Sequence, residues 1–283
     1  MIEAKIIADS ISESGKRITT MQIKFHRFIL PEFNTHRVFS RNFSSSRAIP
    51  TKKLLEQVRN DPATPVHWGA NQAGMQAEHE LEGDALKNAK FAWKRAAESA
   101  ALMAETMAEV GAHKQIVNRI IEPYIWANGI VTSTEWENWD LLRAHPDAQP
   151  EIHELALRMQ EARAASTPRL LKAGEWHLPY ITEEERNDPF YQIEANKLSN
   201  MLAKISAARC CRVSYLKHDG TAANKDEDLA LFMRLAGAEP LHASPLEHQA
   251  TPSSYNEKHL WGNLFGWTQY RKVWEQQVYT KTK

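Results

Sequence analysis

Cysteine is almost absent from this sequence. The 283 residues hold two, Cys210 and Cys211, and they are neighbours. Adjacent cysteines cannot close an ordinary structural bridge, and no CxxC pair is available for zinc. The chain therefore reads as one of a reducing, cytoplasmic compartment. An excess of one charge is missing too, because 35 basic and 35 acidic side chains cancel. That argues against a generic nucleic-acid binder, which carries a basic surplus, so any affinity for anions must come from local clustering. No apolar run reaches the ~18 residues of a membrane span. The N-terminus, "MIEAKIIADSISES", has neither a basic n-region nor a long apolar h-region, so no signal peptide is expected. Eleven glycines never form GxGxxG, which excludes the Rossmann fingerprint. Internal repeats and low-complexity blocks are lacking as well. A chain of this length makes one large domain or two small ones and buries a sizeable core without a disulfide or metal staple.

What is present is a mixture of strand and helix patterns, which suggests α+β or α/β. Residues 4–9 and 18–30 are rich in β-branched and aromatic side chains and predict a hairpin across "SESGKR". "TKKLLEQVRN" predicts a short helix. Over 75–110, Leu81, Ala85, Ala89, Trp93, Ala96, Ala100, Met103, Met107 and Val110 recur at three- and four-residue steps. They predict one long helix of ~50 Å, with Gly111 as its C-cap and a small-residue stripe suited to close helix packing. "HKQIVNRIIEP" predicts a helix stopped by Pro123, "GIVTST" a strand or loop, and "TEWENWDLLRAH" a helix that Thr134 is placed to N-cap. "PEIHELALRMQEARAAS", 192–209 and "KDEDLALFMRLAGAEP" are further helices. "GEWHLPY" and "HASPLEHQATP" are loops, and the aromatic last segment ends helical. The charged "TEEERNDP" is the best linker candidate.

The stretch Asn34–Arg47, "NTHRVFSRNFSSSR", concentrates Arg37, Arg41, Arg47, a histidine, two asparagines and four serines directly after a strand pattern. Two readings stand side by side. It is a polar loop whose serines cap a helix and whose arginines face water. Or it is an anion site, with hydroxyls, backbone N–H groups and guanidinium forks set for a phosphate.

The spacing HR-x2-S-x-N-x2-S-x-R, from His36-Arg37 through Ser40, Asn42 and Ser45 to Arg47, resembles the RHR-x7-S signature of the flavin-dependent thymidylate synthases. The preceding "KFHRFILPEF" resembles that family's lead-in strand. "KQIVNRIIEP" offers Arg119 ahead of a proline, resembling the family's nucleotide-binding arginine. "NWDLLRAHPDAQPEI" resembles its later LR motif through Asn138, Leu142, Arg143, Gln149, Glu151 and Ile152. "HASPLEH" resembles its H-x-[ST]-P-x-E-H loop through His242, Ser244, Pro245, Glu247 and His248, and "ARCCRVSY" its A-R-x-S segment ending on Ser214. The likeness covers roughly residues 18–152 and 203–250. In the family the last two segments precede RHR, whereas here they follow it. The order resembles a circular permutation, with 1–181 and 192–283 as the two segments of one domain and 182–191 as the linker. Such a rearrangement is tolerable when the original termini lie close together at the surface.

The resemblance implies an α+β fold with an antiparallel sheet flanked by long helices. It also implies a homotetramer with FAD held between subunits. The implied reaction adds a one-carbon unit from methylenetetrahydrofolate to C5 of dUMP, giving dTMP. Reduced flavin supplies the hydride, and NADPH is the expected reductant. Counterparts of the flavin contacts are His36, Arg37, Asn138, Ser214, His242, Ser244 and Glu247. Those of the substrate contacts are Glu32, Ser45, Ser46, Arg47, Arg119 and Arg143. A monophosphate is best held by forked guanidiniums and hydroxyls. A pyrimidine activated at C5 gains negative charge that a fixed cation stabilises, the role implied for Arg143. Without the motif, Arg143 reads as a solvated helix arginine. Ser45 has no visible base and is assigned to orienting substrate. Neither cysteine sits in a nucleophile motif, and His113, His177 and His259 are left structural. No metal is called for.

Thr35, Glu32, Phe43, Thr132 and Thr134 depart from the family, which has arginine, glutamine, glutamate, asparagine and arginine at those positions. A carboxylate at Glu32 is repulsive to a phosphate unless protonated or paired, but it accepts from an amino group such as that of cytosine. Methylation or hydroxymethylation of dCMP is thus the alternative, and a non-catalytic nucleotide binder the second.

Overall fold

Glu3–Ser12 (β1) and Arg17–His26 (β2) pair antiparallel across the predicted hairpin. Trp126–Ser133 (β4) lies on the other side of β2, also antiparallel, and Ser40–Phe43 (β3) forms the edge beside β4. A short strand, Arg169–Leu171 (β5), closes the opposite edge parallel to β1, giving the order β3-β4-β2-β1-β5. The sheet is therefore antiparallel except at this edge. A separate ribbon pairs Ala250–Pro252 (β6) with Trp267–Gln269 (β7). In the computed structural model, residues 1–189, 201–213, 221 and 224–280 are described.

The two-residue period of the strands sorts their side chains onto two buried faces. On one, Met21, Ile23, Phe25, Ala127 and Val131 pack against Ile152, Leu155, Ala156 and Met159 of the helix Pro150–Ala164 (α6). Phe33, Phe39, Trp136 and Trp139 extend this core. On the other face Ile18 meets Leu171, Ala250, Leu264 and Trp267, while Ile130 meets Tyr180, Cys210 and Val213. The C-terminal part of the chain thus covers the second face. It supplies the helices Glu183–Asn187 (α7), Met201–Arg212 (α8), Lys225–Ala236 (α9) and Tyr270–Thr280 (α10), with a 3₁₀ turn at Ser244–Glu247. The four-residue helix Leu30–Phe33 (α1) follows β2, and Glu137–Arg143 (α5) precedes α6.

A third cluster joins Thr51–Asn60 (α2), Gly83–Glu109 (α3) and Lys114–Val117 (α4) through Leu54, Leu55, Val58, Ala97, Ala101, Ala104 and Val117. The long helix is shorter than expected. Residues 69–80 form a bridge instead, with Ala70 N donating to His79 O and Leu81 N to Trp68 O. Gly69 permits it, since a Cβ there would lie 2.3 Å from Ala77 Cβ. The buried stripe of α3 is also turned: Ala97, Ala101 and Ala104 face inward, while Met103 and Val110 are exposed. A helix this rich in alanine offers two similar faces, and the approach of α2 decides between them. Gly111, with φ +85°, ends α3 as expected.

Three other expectations change. The helix begun at Lys114 ends at Val117, where Asn118 turns its amide onto Ser46 O and Ile49 O. Thr134 does not cap α5; its Oγ1 accepts from Phe265 N, and α5 starts after Trp136. The linker candidate "TEEERNDP" contains α7, started by a Thr182–Glu185 capping box, and Glu185 is bonded to Arg209. A charged run became an anchored element because its carboxylate found a buried guanidinium. Among the described residues no helix is long and apolar enough to cross a membrane.

Candidate functional site

Of the three arginines in the 34–47 stretch, Arg41 is spent on the loop itself. Its guanidinium donates to Asn34 Oδ1 at 2.8 Å and to the carbonyls of Asn34, His36 and Phe39. Arg37 and Arg47 are exposed and form no hydrogen bond or ion pair among the described residues. His36 is buried, stacked on Phe39 and edge-on to Trp139 at 4.7 Å. Trp139 anchors α5 in the aromatic core, and one turn later Arg143 emerges on the same face. Arg163 fixes this helix further, holding Asp140 at 2.7 Å and lying over the Trp136 ring. Arg143 Nε then donates to His36 Nε2 at 2.9 Å, and its Nη2 lies 3.4 Å from Thr35 Oγ1. Burial, with Arg143 and Arg41 nearby, pushes the His36 imidazole down to about 4. The ring is therefore neutral at pH 7 and accepts from Arg143 without competing for its charge.

Asn42 joins three distant segments. Its Nδ2 donates to the carbonyls of Cys210 and Cys211 at 2.9 and 3.2 Å, satisfying the last turn of α8. Its Oδ1 accepts from Ser244 Oγ at 3.3 Å. The HR-x7-S strand, the cysteine segment and the SPxEH turn are thereby brought together. Beside this node lies a cavity of about 800 Å³. Ser45 and Arg47 line one wall, Arg212 and His242 contribute, and Glu227 and Arg234 project from one face of α9. Glu247 lies close enough to Arg41 to hold the Arg41 guanidinium more firmly charged, though burial lowers it overall. Glu247 is itself paired with Arg271.

Other predicted residues lie outside the cavity. Ser46 is buried, and its hydroxyl donates to Glu122 Oε1 at 2.6 Å. Arg119 donates to the same oxygen at 2.7 Å, and Arg27 approaches it at 3.4 Å. These groups already hold an internal anion, so Ser46 and Arg119 do not join Ser45 and Arg47 around one space. Glu32 lies in α1, its Oε2 buried without a hydrogen-bond partner. Asn138 is exposed on α5. Ser214 falls outside the described residues.

Within one chain the flavin counterparts form two groups. His36 is bonded to Arg143, with Arg37 next to it in the chain and Asn138 on the helix that carries Arg143, whereas His242 and Ser244 lie at the cavity and the Asn42 node. The exposed, unpaired Arg37 suits contact with an anionic group arriving from outside the chain. Among the described residues no cluster of three or more His, Cys, Asp or Glu is arranged to hold a metal ion.

No family model and no curated protein matches this chain. Among the solved structures similar to it are two of a UMP/dUMP methylase, PolB from Streptomyces cacaoi. The one bound with 5-Br UMP shares 16% identity at a TM-score of 0.47, over 58% of this chain and 89% of that one. The one bound with 5-Br dUMP shares 15% at 0.48, over 58% and 90%. Both TM-scores lie below 0.5, so neither activity nor family follows from the likeness.

Residues given no role from the sequence, one of them (Arg212) inside the "ARCCRVSY" segment, also face the cavity. Arg212, Glu227 and Arg234 line the cavity; the seven-residue step from Glu227 to Arg234, two helical turns on one face, is the signal in the sequence. A polar line crosses the core: Ser10 Oγ to His177 Nδ1 at 2.9 Å, His177 Nε2 to Thr20 Oγ1 at 2.8 Å, Thr20 to Thr132 at 2.7 Å, and Thr132 to His248 Nδ1 at 2.8 Å. Burial drives both imidazoles down to about 3. His177 is thus structural, as read from the sequence, and Thr132 serves this line. Burial raises the thiols of Cys210 and Cys211, opposite to what a nucleophile needs.

Proposed function

We propose that the protein transfers a one-carbon unit to C5 of a pyrimidine deoxynucleoside monophosphate, dUMP giving dTMP. The observation that carries this reading is the meeting of segments whose motifs are far apart in sequence. Arg143 is locked to His36, and Ser45, Arg47 and His242 share one cavity beside the Asn42–Ser244 contact. These are the residues that the motif resemblance couples.

Arg143 carries the fixed positive charge that stabilises electron density gathered on the pyrimidine when C5 is attacked. His36, neutral, fixes the guanidinium through Nε2. Ser45 and Arg47 orient and neutralise the phosphate end. FAD, when bound, supplies the hydride; Arg37, Asn138, His36, His242, Ser244 and Glu247 are the residues proposed to hold it. Their separation into two groups favours a cofactor shared between subunits of a homotetramer. Methylenetetrahydrofolate is the proposed carbon donor and NADPH the reductant.

Glu32 supports a second reading. Its unpartnered Oε2 is suited to accept from an exocyclic amino group, which cytosine has and uracil lacks. The test supplies dUMP and dCMP separately with methylenetetrahydrofolate, FAD and NADPH, and identifies products by mass. Preferred conversion of dUMP supports the first reading, and preferred conversion of dCMP supports the second. A protein that binds nucleotide but converts neither, and takes up no yellow absorbance from FAD, is a non-catalytic binder.

A further inference from the structure

We propose that Arg234 and Arg212, which line the same cavity as Arg47, form a grip for a phosphate group, and that the ligand entering there is a phosphate ester. This rests on the nucleotide reading above and adds Arg234, which no motif of the chain contains, and Arg212, which lies within the "ARCCRVSY" segment but to which the resemblance assigns no role. Three guanidiniums line the space against one carboxylate, Glu227. Glu227 is turned toward the start of α9, where its Oε2 accepts from Asn224 N at 3.0 Å. Arg47 and Arg234 are exposed, with no hydrogen bond or ion pair among the described residues.

Arg212 is the built part. Its side chain is only 10% exposed and is tied through Nη2 to the fully buried Asp228, yet its Nε is buried with no acceptor. Asp228 is also bonded to Arg209 Nε at 3.0 Å, and Arg209 to Glu185 at 2.6 Å. That network fixes Arg212 from behind, as a rigid binding site requires. Ser44 and Ser45 add hydroxyls from the Arg47 wall, while Ala230 and Leu231 give the α9 wall an apolar stretch between its two charges. Two unpaired guanidiniums beside a third held in place suit an anion of about two charges, as a phosphate monoester carries near neutral pH. The two walls belong to the N-terminal and C-terminal parts of the chain, so a bound phosphate would also clamp them together.

The test is isothermal titration of the full chain and its R234A and R234K variants with dUMP, 2′-deoxyuridine and FAD. Arg234 is exposed and unpaired, so its replacement leaves the fold intact, which circular dichroism checks. The expected result is that R234A weakens dUMP binding about tenfold or more, with deoxyuridine unaffected and R234K partly restoring affinity. A loss confined to FAD also supports the phosphate grip and makes the cofactor its source. Unchanged affinity of R234A for both dUMP and FAD overturns it. If the wild type converts dUMP while R234A binds as wild type, the grip fails and the catalytic reading stands. If binding depends on Arg234 but no base is converted, the grip stands and the catalytic reading fails.

Discussion

At the scale of the residue, the decisive contact is Arg143 to His36. The guanidinium proposed to face the substrate is held by an acceptor that carries no charge of its own. Arg143→Ala is expected to lower kcat by about 100-fold or more, the usual loss when one electrostatic stabiliser is removed; steady-state turnover of dUMP checks it. His36→Phe keeps the aromatic packing but leaves Arg143 Nε without its acceptor, so kcat falls with a smaller change in KM. Because His36 is held down to about 4, its titration puts no limb in the activity profile between pH 5 and 8. None of this pairing is visible in the sequence, where position 36 and position 143 are only separate motif letters. Ser46 and Arg119 show the same blindness in reverse: their types fit a phosphate, but Glu122 sits within hydrogen-bond reach of both.

The buried histidines make a stability prediction at the same scale. His177 and His248 are lowered to about 3 in the fold and return to about 6.5 when unfolded. Between those values the unfolded chain binds more protons, so stability is full above pH 6.5 and falls as pH drops. From pH 6.5 to pH 5 each histidine accounts for roughly 2 kcal/mol. Urea unfolding at pH 7.5 and 5 measures this, and His248→Asn should flatten the slope while lowering stability at pH 7.5. Equal stability of the wild type at both pH values contradicts it.

At the scale of the element, the hairpin and the strand β4 are legible because period-two patterns of β-branched residues leave few alternatives. The helix α3 was legible in kind but not in facing, since alanines line both sides. The edge strand β3 was hidden: "SRNF" has no strand pattern, and its place follows from Gly129 on β4. A Cβ at Gly129 would lie 2.2 Å from the Phe43 ring, which itself packs edge-on against Phe25 and Phe33. Gly129→Ala is expected to cost about 1–3 kcal/mol and to push Phe43 toward the cavity that it lines. Chemical denaturation measures the first effect and nucleotide titration the second. Asn42→Ala removes two bonds to the end of α8 and one to Ser244, and about 1–2 kcal/mol is expected to be lost. Asn42→Asp keeps the acceptor for Ser244 but not the donors for α8, which separates the two roles.

At the scale of the whole molecule, the sheet cannot stand with one face open. Ile18, Thr20, Ile130 and Thr132 are all fully buried under the C-terminal part of the chain. A fragment ending at residue 181 exposes that apolar surface and leaves the Thr20–Thr132 pair without His248, so it is expected to aggregate or bind a hydrophobic dye. Adding residues 182–283 as a separate chain should restore solubility, and gel filtration with dye fluorescence reports both. The sequence placed the motifs but not their meeting point. Contacts such as Asn42 with Cys210, Cys211 and Ser244 join residues whose spacing along the chain carries no period.

The most direct measurement of the catalytic account is the mass of the product formed from dUMP with methylenetetrahydrofolate, FAD and NADPH, run beside Arg143→Ala. The account predicts a nucleotide heavier by one methylene unit from the wild type and at most traces from the variant. Unaltered dUMP from a wild-type protein shown to have bound both nucleotide and flavin contradicts it.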